Sequence, residues 1–263
     1  MTSILDDIYA AKRDELRAQR EAVSPIAIVA AAGRAPKPRD FVAALRARRP
    51  AIIAEIKRAS PSKGEIFHGL DPASVAAEYA NAGAAAISVL TDRHFKGSLD
   101  DLRAVRAAVD IPLLRKDFIF DPYQVYEARA AGADCILLIV AMLKEGQLRS
   151  LAALARELGM ATLVEAHNET EFQLAEKIGT GLVGINNRDL HTFVTDIGQT
   201  ERVLYVYKRE ALIVTESGID SAADMRRLDA AGADAFLIGE SLLREGAPGA
   251  RLSDLMTAFG KAG

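Results

Sequence analysis

The chain has 263 residues, half of them hydrophobic, with 33 basic and 36 acidic side chains and a net charge of −3. That length suits one large core of the size of an eight-unit barrel, about 250 residues, and the charge balance gives no reason to expect nucleic acid or an anionic membrane as partner. Cys135 is the only cysteine, so no disulfide within the chain and no cysteine metal cluster can form; inside the apolar run CILLIV (135–140) it reads as a small buried hydrophobe.

The opening MTSILDDIYAAKRDEL alternates acids and bases and holds no apolar h-region, so it does not read as a secretory signal. No run of about 18 apolar residues occurs, so no membrane span is expected, and the expected location is the cytoplasm. Residues 1–50 carry no strand signal; they hold an amphipathic helix over 3–21 and a shorter one near 39–48, joined by a proline-containing segment. They read as an extension packed on the barrel, with a dimer arm as the alternative.

The first strand, AIIAEIK (51–57), ends in charge, which a buried strand has no structural need for. Glu55 and Lys57 stand two apart and so share a face; the plain alternative is an internal ion pair capping the core. The loop RASPSKGEI (58–66) is polar and able to close over a ligand.

From here a repeat takes over. NAGAAAISVL (81–90), AAGADCILLI (130–139), IGTGLVGIN (178–186) and AAGADAFLIG (230–239) each read as a helix end, a glycine stop and an apolar strand. Gly83, Gly132, Gly181 and Gly232 are 49, 49 and 51 residues apart. A βα unit takes roughly 25 residues or slightly more, so each interval holds two units. The spacing favours a closed α/β barrel of (β/α)8 type over an open sheet. The intervening strands fall at 51–57, 112–116, 161–165 and 211–215. Helices are expected at 71–82, 98–109, 121–131, 144–158, 168–178, 221–231 and 251–259, several opened by Asp, Ser or Asn and two by Asp-Pro. Residues 196–211 read ambiguously.

PLLRKD (112–117), ATLVEAH (161–167), LVGINNRD (182–189) and LIVTESG (212–218) repeat the charged ending of the first strand. In register, they bring Glu55, Lys57, Lys116, Glu165, Asn186, Arg188, Glu216 and Ser217 to one mouth of a parallel sheet, where α/β folds build active sites. Lys116, partly desolvated near other cations, is expected to have a lowered pKa and to act as general acid or base; alternatively it is a surface lysine bound to Asp117. Glu165 is a plausible acid/base partner across the barrel, whereas His167 reads as a loop residue. Arg188 offers a planar fork for an anion, and Asn186 a group that orients a hydroxyl or amide; Asp189 is expected to hold Arg188 or a loop backbone.

Ser217-Gly218 and Gly239-Glu240-Ser241 close the last two strands, the latter opening a short helix (240–244). Phosphate sites recur there in this fold, with Glu240 acting through its backbone N–H. No HxH, HExxH or Cys/His cluster occurs, so no catalytic metal is expected. The sequence has no Walker A or dinucleotide fingerprint either.

Taken together, AEIKRASPSKG, SVLTD with F-K-G-S after it, LLRKDFI, DPYQVYEARAAGAD, ILLIV, LVEAH, GINNRDL, ESGI and GESL resemble the indole-3-glycerol phosphate synthases of tryptophan biosynthesis, in order and over nearly the whole chain. The neighbouring phosphoribosyl-anthranilate isomerases share the fold and phosphate site but are not expected to show EIKRASPSKG or INNRDL. The resemblance implies a single (β/α)8 TIM barrel domain over 1–263, with residues 1–50 as an N-terminal helical extension. It implies decarboxylating, dehydrating ring closure of 1-(2-carboxyphenylamino)-1-deoxyribulose 5-phosphate, with no cofactor and no metal, by a monomer or homodimer.

By the same resemblance Lys116 is the general acid on the ketone oxygen and Glu165 the general base of the dehydration. Lys57 pairs with the substrate carboxylate, with help in expelling the hydroxyl as a second role, and the resemblance leaves open which lysine serves which protonation. Glu55, Asn186, Arg188 and Glu216 position the lysines and the ribulose hydroxyls. Ser217, Gly218, Gly239 and Glu240 cradle the phosphate, with Lys57 among its partners. Pro61, Phe95, Phe118, Leu137, Leu190 and Ile238 form the slot for the anthranilate ring. Two segments depart from the family pattern: TDRHFKGS (91–98) is one residue short, which bears on Phe95, and LYVYKREALIV (204–214) lacks a proline-containing turn. Another phosphosugar barrel should lack the two lysines with INNRD, and a non-catalytic scaffold should have lost Lys57, Lys116 or Glu165.

Overall fold

A computed structural model of the chain describes residues 4–60, 64, 65, 67, 69–189, 192, 194–207, 209–244 and 246–261. Eight parallel strands close into a barrel: β1 Ala51–Ile56, β2 Ala86–Leu90, β3 Leu113–Lys116, β4 Cys135–Ile139, β5 Ala161–Ala166, β6 Leu182–Asn186, β7 Leu212–Glu216 and β8 Ala235–Ile238. Each pairs with its sequence neighbours, and β8 closes on β1 through Ala51 opposite Ala235. The expected barrel class is the observed one.

The 25-residue rhythm has its local cause in caps and stops. Asp71, Ser98, Asp121, Asn168 and Ser221 cap α4 (Pro72–Asn81), α5 (Leu99–Ala108), α6 (Pro122–Ala130), α8 (Glu169–Ile178) and α10 (Ala222–Ala231) with side-chain oxygens. At the other end, the four repeat glycines all have positive φ, from 73° to 109°, where L side chains are strained. Between α6 and α8 lies α7 (Glu145–Glu157).

Alternation along the strands then sorts the core. Ala51, Ile53, Leu114, Cys135, Leu137, Leu163, Leu182, Val214 and Leu237 fill the barrel interior, with Phe41 and Leu45 of α3 (Phe41–Arg46). Their neighbours one residue away, such as Ile52, Ile136, Val164, Val183 and Phe236, pack against the helices. Cys135 is fully buried, as expected.

The N-terminal region holds three helices. α1 (Ile4–Ala22) and α3 answer the two expected; the proline-containing joint is itself a helix, α2 (Pro25–Arg34). Its run IAIVAAAG lacks an amphipathic period, so pattern reading passes over it, but Ser24 caps it and Pro25 stands at its first turn. The extension is tied down by α6: Tyr123 Oη donates to Gln19 O (3.1 Å) and Val23 O (2.9 Å), and Arg129 donates to Ala35 O (2.9 Å).

The ambiguous segment forms α9 (Gly198–Val206). Val203 is buried, while Tyr205 and Val206 face solvent, so hydrophobic residues there do not mark one face. The loop after β1 folds back as a short antiparallel pair, Ala59–Ser60 with Gly64–Glu65. The chain ends with α11 (Glu240–Leu243) and α12 (Pro248–Gly260).

Candidate active site

The inward register of each strand continues past the apolar core into polar residues. Leu114 is followed two places on by Lys116, Leu163 by Glu165, Val214 by Glu216 and Ile53 by Glu55. Side chains alternate with period two, so whatever stands two positions beyond a core residue must enter the same lumen. They meet above the core in a cavity of about 420 Å³, within the range of small-molecule sites.

Lys116 is at its centre. Its Nζ lies 3.6 Å from Glu165 Oε2 and 3.5 Å from Glu216 Oε2. Opposite, Lys57 Nζ lies 2.9 Å from Glu55 Oε1. The barrel makes room for these carboxylates with glycines. Gly184 pairs with Glu165 and lies between it and Glu216, and a Cβ there would collide with Glu216 Oε1. At Gly239 a Cβ would meet the Glu55 carboxylate in the same way.

Electrostatics corrects one expectation. Burial opposes the charge on Lys116, but the carboxylates of Glu165, Glu216 and Glu55 outweigh it and hold the ammonium above its ordinary range. The expected lowering by nearby cations does not occur, because carboxylates are its nearest neighbours. Nor does Lys116 bind Asp117: that carboxylate points away, to Lys12 of α1 at 2.7 Å and to Arg115 at 2.9 Å. Burial would raise the pKa of Glu165, but Lys116 and His167 hold it well below the carboxylate range. Glu216 goes the other way: burial, and then the charge of Glu165, push it up to about 8. Burial also works against Glu55, yet Lys57 and Lys116 leave it below its ordinary value.

Asn186 and Arg188 enter from β6. Asn186 Oδ1 accepts from Arg188 N (3.0 Å), and Arg188 Nε donates to Thr195 Oγ1 (3.2 Å). Arg188 Nη2 is 3.9 Å from Glu240 Oε2. Asp189 accepts from Thr192 N at 2.7 Å, so it holds loop backbone rather than Arg188. Asn187 faces the other way and donates to Ser217 O at 3.1 Å, fixing the turn after β7. Ser217 and Gly218 both have positive φ, 68° and 78°, and Ser241 Oγ ties that turn to α11 by donating to Ile219 O at 2.8 Å. The tight turn leaves this backbone beside the start of α11. Gly239 and Glu240 line the same end of the cavity, and Arg244 Nη2 lies 3.3 Å from the Glu240 carboxylate.

The apolar wall contains Phe95, Phe118 and Leu137, joined by Ile8, Leu90, Ile139 and Leu237. Phe95 lines the cavity from a 3-10 turn, Arg93–Phe95, despite the short loop. Ile238 borders the cavity, but it belongs to the layer between strands and helices, and Leu237 is the residue of β8 in the interior cluster. Pro61 and Leu190 lie outside the described residues.

Several groups at the site escaped sequence reading. Lys12 is buried against Asp92 (3.1 Å), Asp117 (2.7 Å) and Glu15 (2.9 Å), and burial notwithstanding, these acids raise its pKa. No local pattern marks it, because its partners Asp92 and Asp117 lie 80 and 105 positions away. His167, read as a loop residue, turns its ring inward onto Glu165. Gly184 had a signal: a glycine inside a strand marks close approach. Among the described residues no group of three or more His, Cys, Asp or Glu side chains is arranged to hold a metal ion, and no helix is long and apolar enough to cross a membrane.

With this geometry in hand, comparison with known proteins is specific. The family model for indole-3-glycerol phosphate synthase matches residues 5–255. The indole-3-glycerol phosphate synthase of Acidithiobacillus ferrooxidans (strain ATCC 53993 / BNL-5-31) is 50% identical over 260 residues, covering 97% of this chain and 99% of that protein. The protein of the same name from Polaromonas sp. (strain JS666 / ATCC BAA-500) is 51% identical over 261 residues, 97% and 98% of the two chains. Among solved structures, 3-hexulose-6-phosphate synthase from Salmonella typhimurium superimposes with a TM-score of 0.64 at 13% identity, over 81% of this chain and all of that one; at that identity the likeness is one of fold.

Proposed function

The chain belongs to the indole-3-glycerol phosphate synthase family, and from that premise we propose how its residues divide the reaction. The reaction is ring closure of 1-(2-carboxyphenylamino)-1-deoxyribulose 5-phosphate to indole-3-glycerol phosphate, with loss of carbon dioxide and water. The ring carbon bearing the carboxylate attacks the C2′ ketone. As the new bond forms, the ketone oxygen takes a proton. Carbon dioxide then leaves, its bonding electrons restore the aromatic ring, and loss of the C2′ hydroxyl and a C1′ proton completes the indole.

Lys116 is the general acid in this reading. The observation that carries it is the position of its ammonium, at 3.6 and 3.5 Å from two carboxylates in the cavity. Held charged across neutral pH, it always has a proton to give. Glu165, held ionised, is the base that removes the C1′ proton. Lys57, oriented by Glu55, pairs with the leaving carboxylate, helps protonate the departing hydroxyl and is also a partner of the phosphate. Glu216, with a pKa near 8, offers an O–H at pH 7 to the ribulose hydroxyls. Asn186 and Arg188 orient the same hydroxyls, and Ser217, Gly218, Gly239 and Glu240 hold the phosphate through backbone N–H groups. Phe95, Phe118 and Leu137 grip the ring, which excludes water and aligns the reacting carbons.

In the same reading residues 1–50 belong to the one barrel domain rather than to a dimer arm, and the enzyme works in the cytoplasm as a monomer or homodimer without nucleic acid. The test mixes purified protein with the carboxyphenylamino-deoxyribulose phosphate in chelator and follows indole fluorescence. A saturable rise supports the assignment. No rise from folded protein that still binds the substrate overturns it.

A further inference from the structure

His167 follows β5, and its ring lies between two carboxylates. Nε2 is 3.1 Å from Glu165 Oε1, and Nδ1 is 3.1 Å from Glu171 Oε2. The side chain is 9% exposed, and Glu165 is 2% exposed. Glu171 is itself fixed at the start of α8. Its Oε2 also accepts from the His167 backbone N–H (2.9 Å), and its Oε1 accepts from Asn168 Nδ2 (2.8 Å). Asn168 in turn caps the Glu171 N–H at 2.9 Å. The cap of α8 therefore serves as a bracket for one imidazole.

A neutral imidazole has one N–H and one lone pair, whereas an ionised carboxylate only accepts. Nδ1 is hydrogen-bonded to Glu171, and Nε2 stands 3.1 Å from Glu165 Oε1 as a close ion-pair contact; a neutral ring would set a lone pair against a carboxylate oxygen at one of the two nitrogens, and the imidazolium sets a proton and positive charge against both. The electrostatics agree: burial opposes the charge, but the hydrogen bonds to Glu165 and Glu171 bring the pKa up to about 10. The other groups that meet at Glu165 are Lys116 from β3, Glu216 from β7 and Asn186 from β6. The turn Val140–Met142, packed against β5 and α8, carries no charge.

We propose that His167 is a positioning residue of the reaction: as an imidazolium bracketed by Glu171, it keeps the Glu165 carboxylate ionised and aimed at the C1′ proton. The inference rests on the preceding reading of Glu165 as general base. Its chemical sense lies in timing. Glu165 has a cation on each oxygen, Lys116 on Oε2 and His167 on Oε1. Lys116 gives up its proton during ring closure and then no longer supports the carboxylate. His167 takes no part in that transfer, so its charge stays in place while Glu165 acts.

Two measurements test this. The first is ring 15N NMR of wild-type protein, with His167 assigned among the four histidines by its absence in His167→Gln. The doubly protonated pattern should persist well above pH 7; a neutral tautomer at pH 7 overturns the proposal whatever the activity. The second is the pH profile of kcat/KM. His167→Gln keeps an N–H donor and loses the charge, so the acid limb should move up by about one pH unit. Glu171→Gln should move it in the same direction by less. A superimposable profile in folded His167→Gln overturns the proposal. Turnover retained in Glu165→Gln overturns the general-base reading instead, and the NMR result separates the two.

Discussion

Lys116 and Asp117 are consecutive residues that serve opposite sides of one strand end. Lys116 turns into the lumen, 3.6 Å from Glu165 and 3.5 Å from Glu216, and Asp117 turns outward, 2.7 Å from Lys12. The end of β3 thereby joins the chemistry of the cavity to the N-terminal helix, with a single peptide bond between the two charge networks.

Replacing Lys116 by Met should lower kcat by about 10³-fold while leaving the fold and the affinity for inorganic phosphate largely unchanged, because it removes a proton donor and not a phosphate ligand. Steady-state fluorescence and calorimetric titration check the two halves. Turnover within about tenfold of wild type would move the general acid elsewhere.

Lys12→Met should destabilise the fold by about 3 kcal/mol, since it removes the common cation of Asp92, Asp117 and Glu15, of which Asp117 keeps Arg115 and Glu15 keeps Arg93. The folded-state pKa of Lys12 lies above its ordinary 10.5. Its contribution is therefore complete below pH 10.5 and lost only as pH rises through the folded value. Urea unfolding of both proteins should show a constant gap across neutral pH, and a gap that varies there would count against the network.

Gly184→Ala should keep the barrel and displace Glu216, whose Oε1 occupies the space a Cβ would take. The obstacle is the end of a side chain, so the structure yields locally. A displacement of about 1 Å in a catalytic group can cost about 10²-fold in rate. The expected result is a fall in kcat with little change in Tm; wild-type kcat would show that the position of Glu216 does not matter.

Glu216→Gln should change how stability depends on pH. The native pKa of about 8 exceeds the ordinary 4.5, so the folded protein holds a proton that the unfolded chain releases. That contribution is complete below pH 4.5 and is lost as pH rises through about 8. The amide stays neutral throughout, so the variant should gain stability relative to wild type across that interval. Parallel curves would mean that Glu216 is ionised in the free protein.

Much of the fold and the site was legible in the sequence because a barrel is periodic. Glycines about 50 residues apart and polar residues two places beyond an apolar core position need only strand alternation and the βα rhythm to be read. Those rules determined the closed barrel and the face from which Glu55, Lys57, Lys116, Glu165 and Glu216 enter it. They failed for α2, whose alanine-rich run has no period, and for α9, whose Tyr205 and Val206 face solvent. Which charges meet was decided only by closure of the barrel. Lys116 reads as a lysine among cations and stands among carboxylates. His167 reads as a loop residue and, from the bend after β5, sets its ring between Glu165 and Glu171, and Lys12 finds two of its acids 80 and 105 residues downstream. The reason is physical: ion pairing and pKa depend on distance and burial in three dimensions, and sequence separation carries no information about either until the strands have closed.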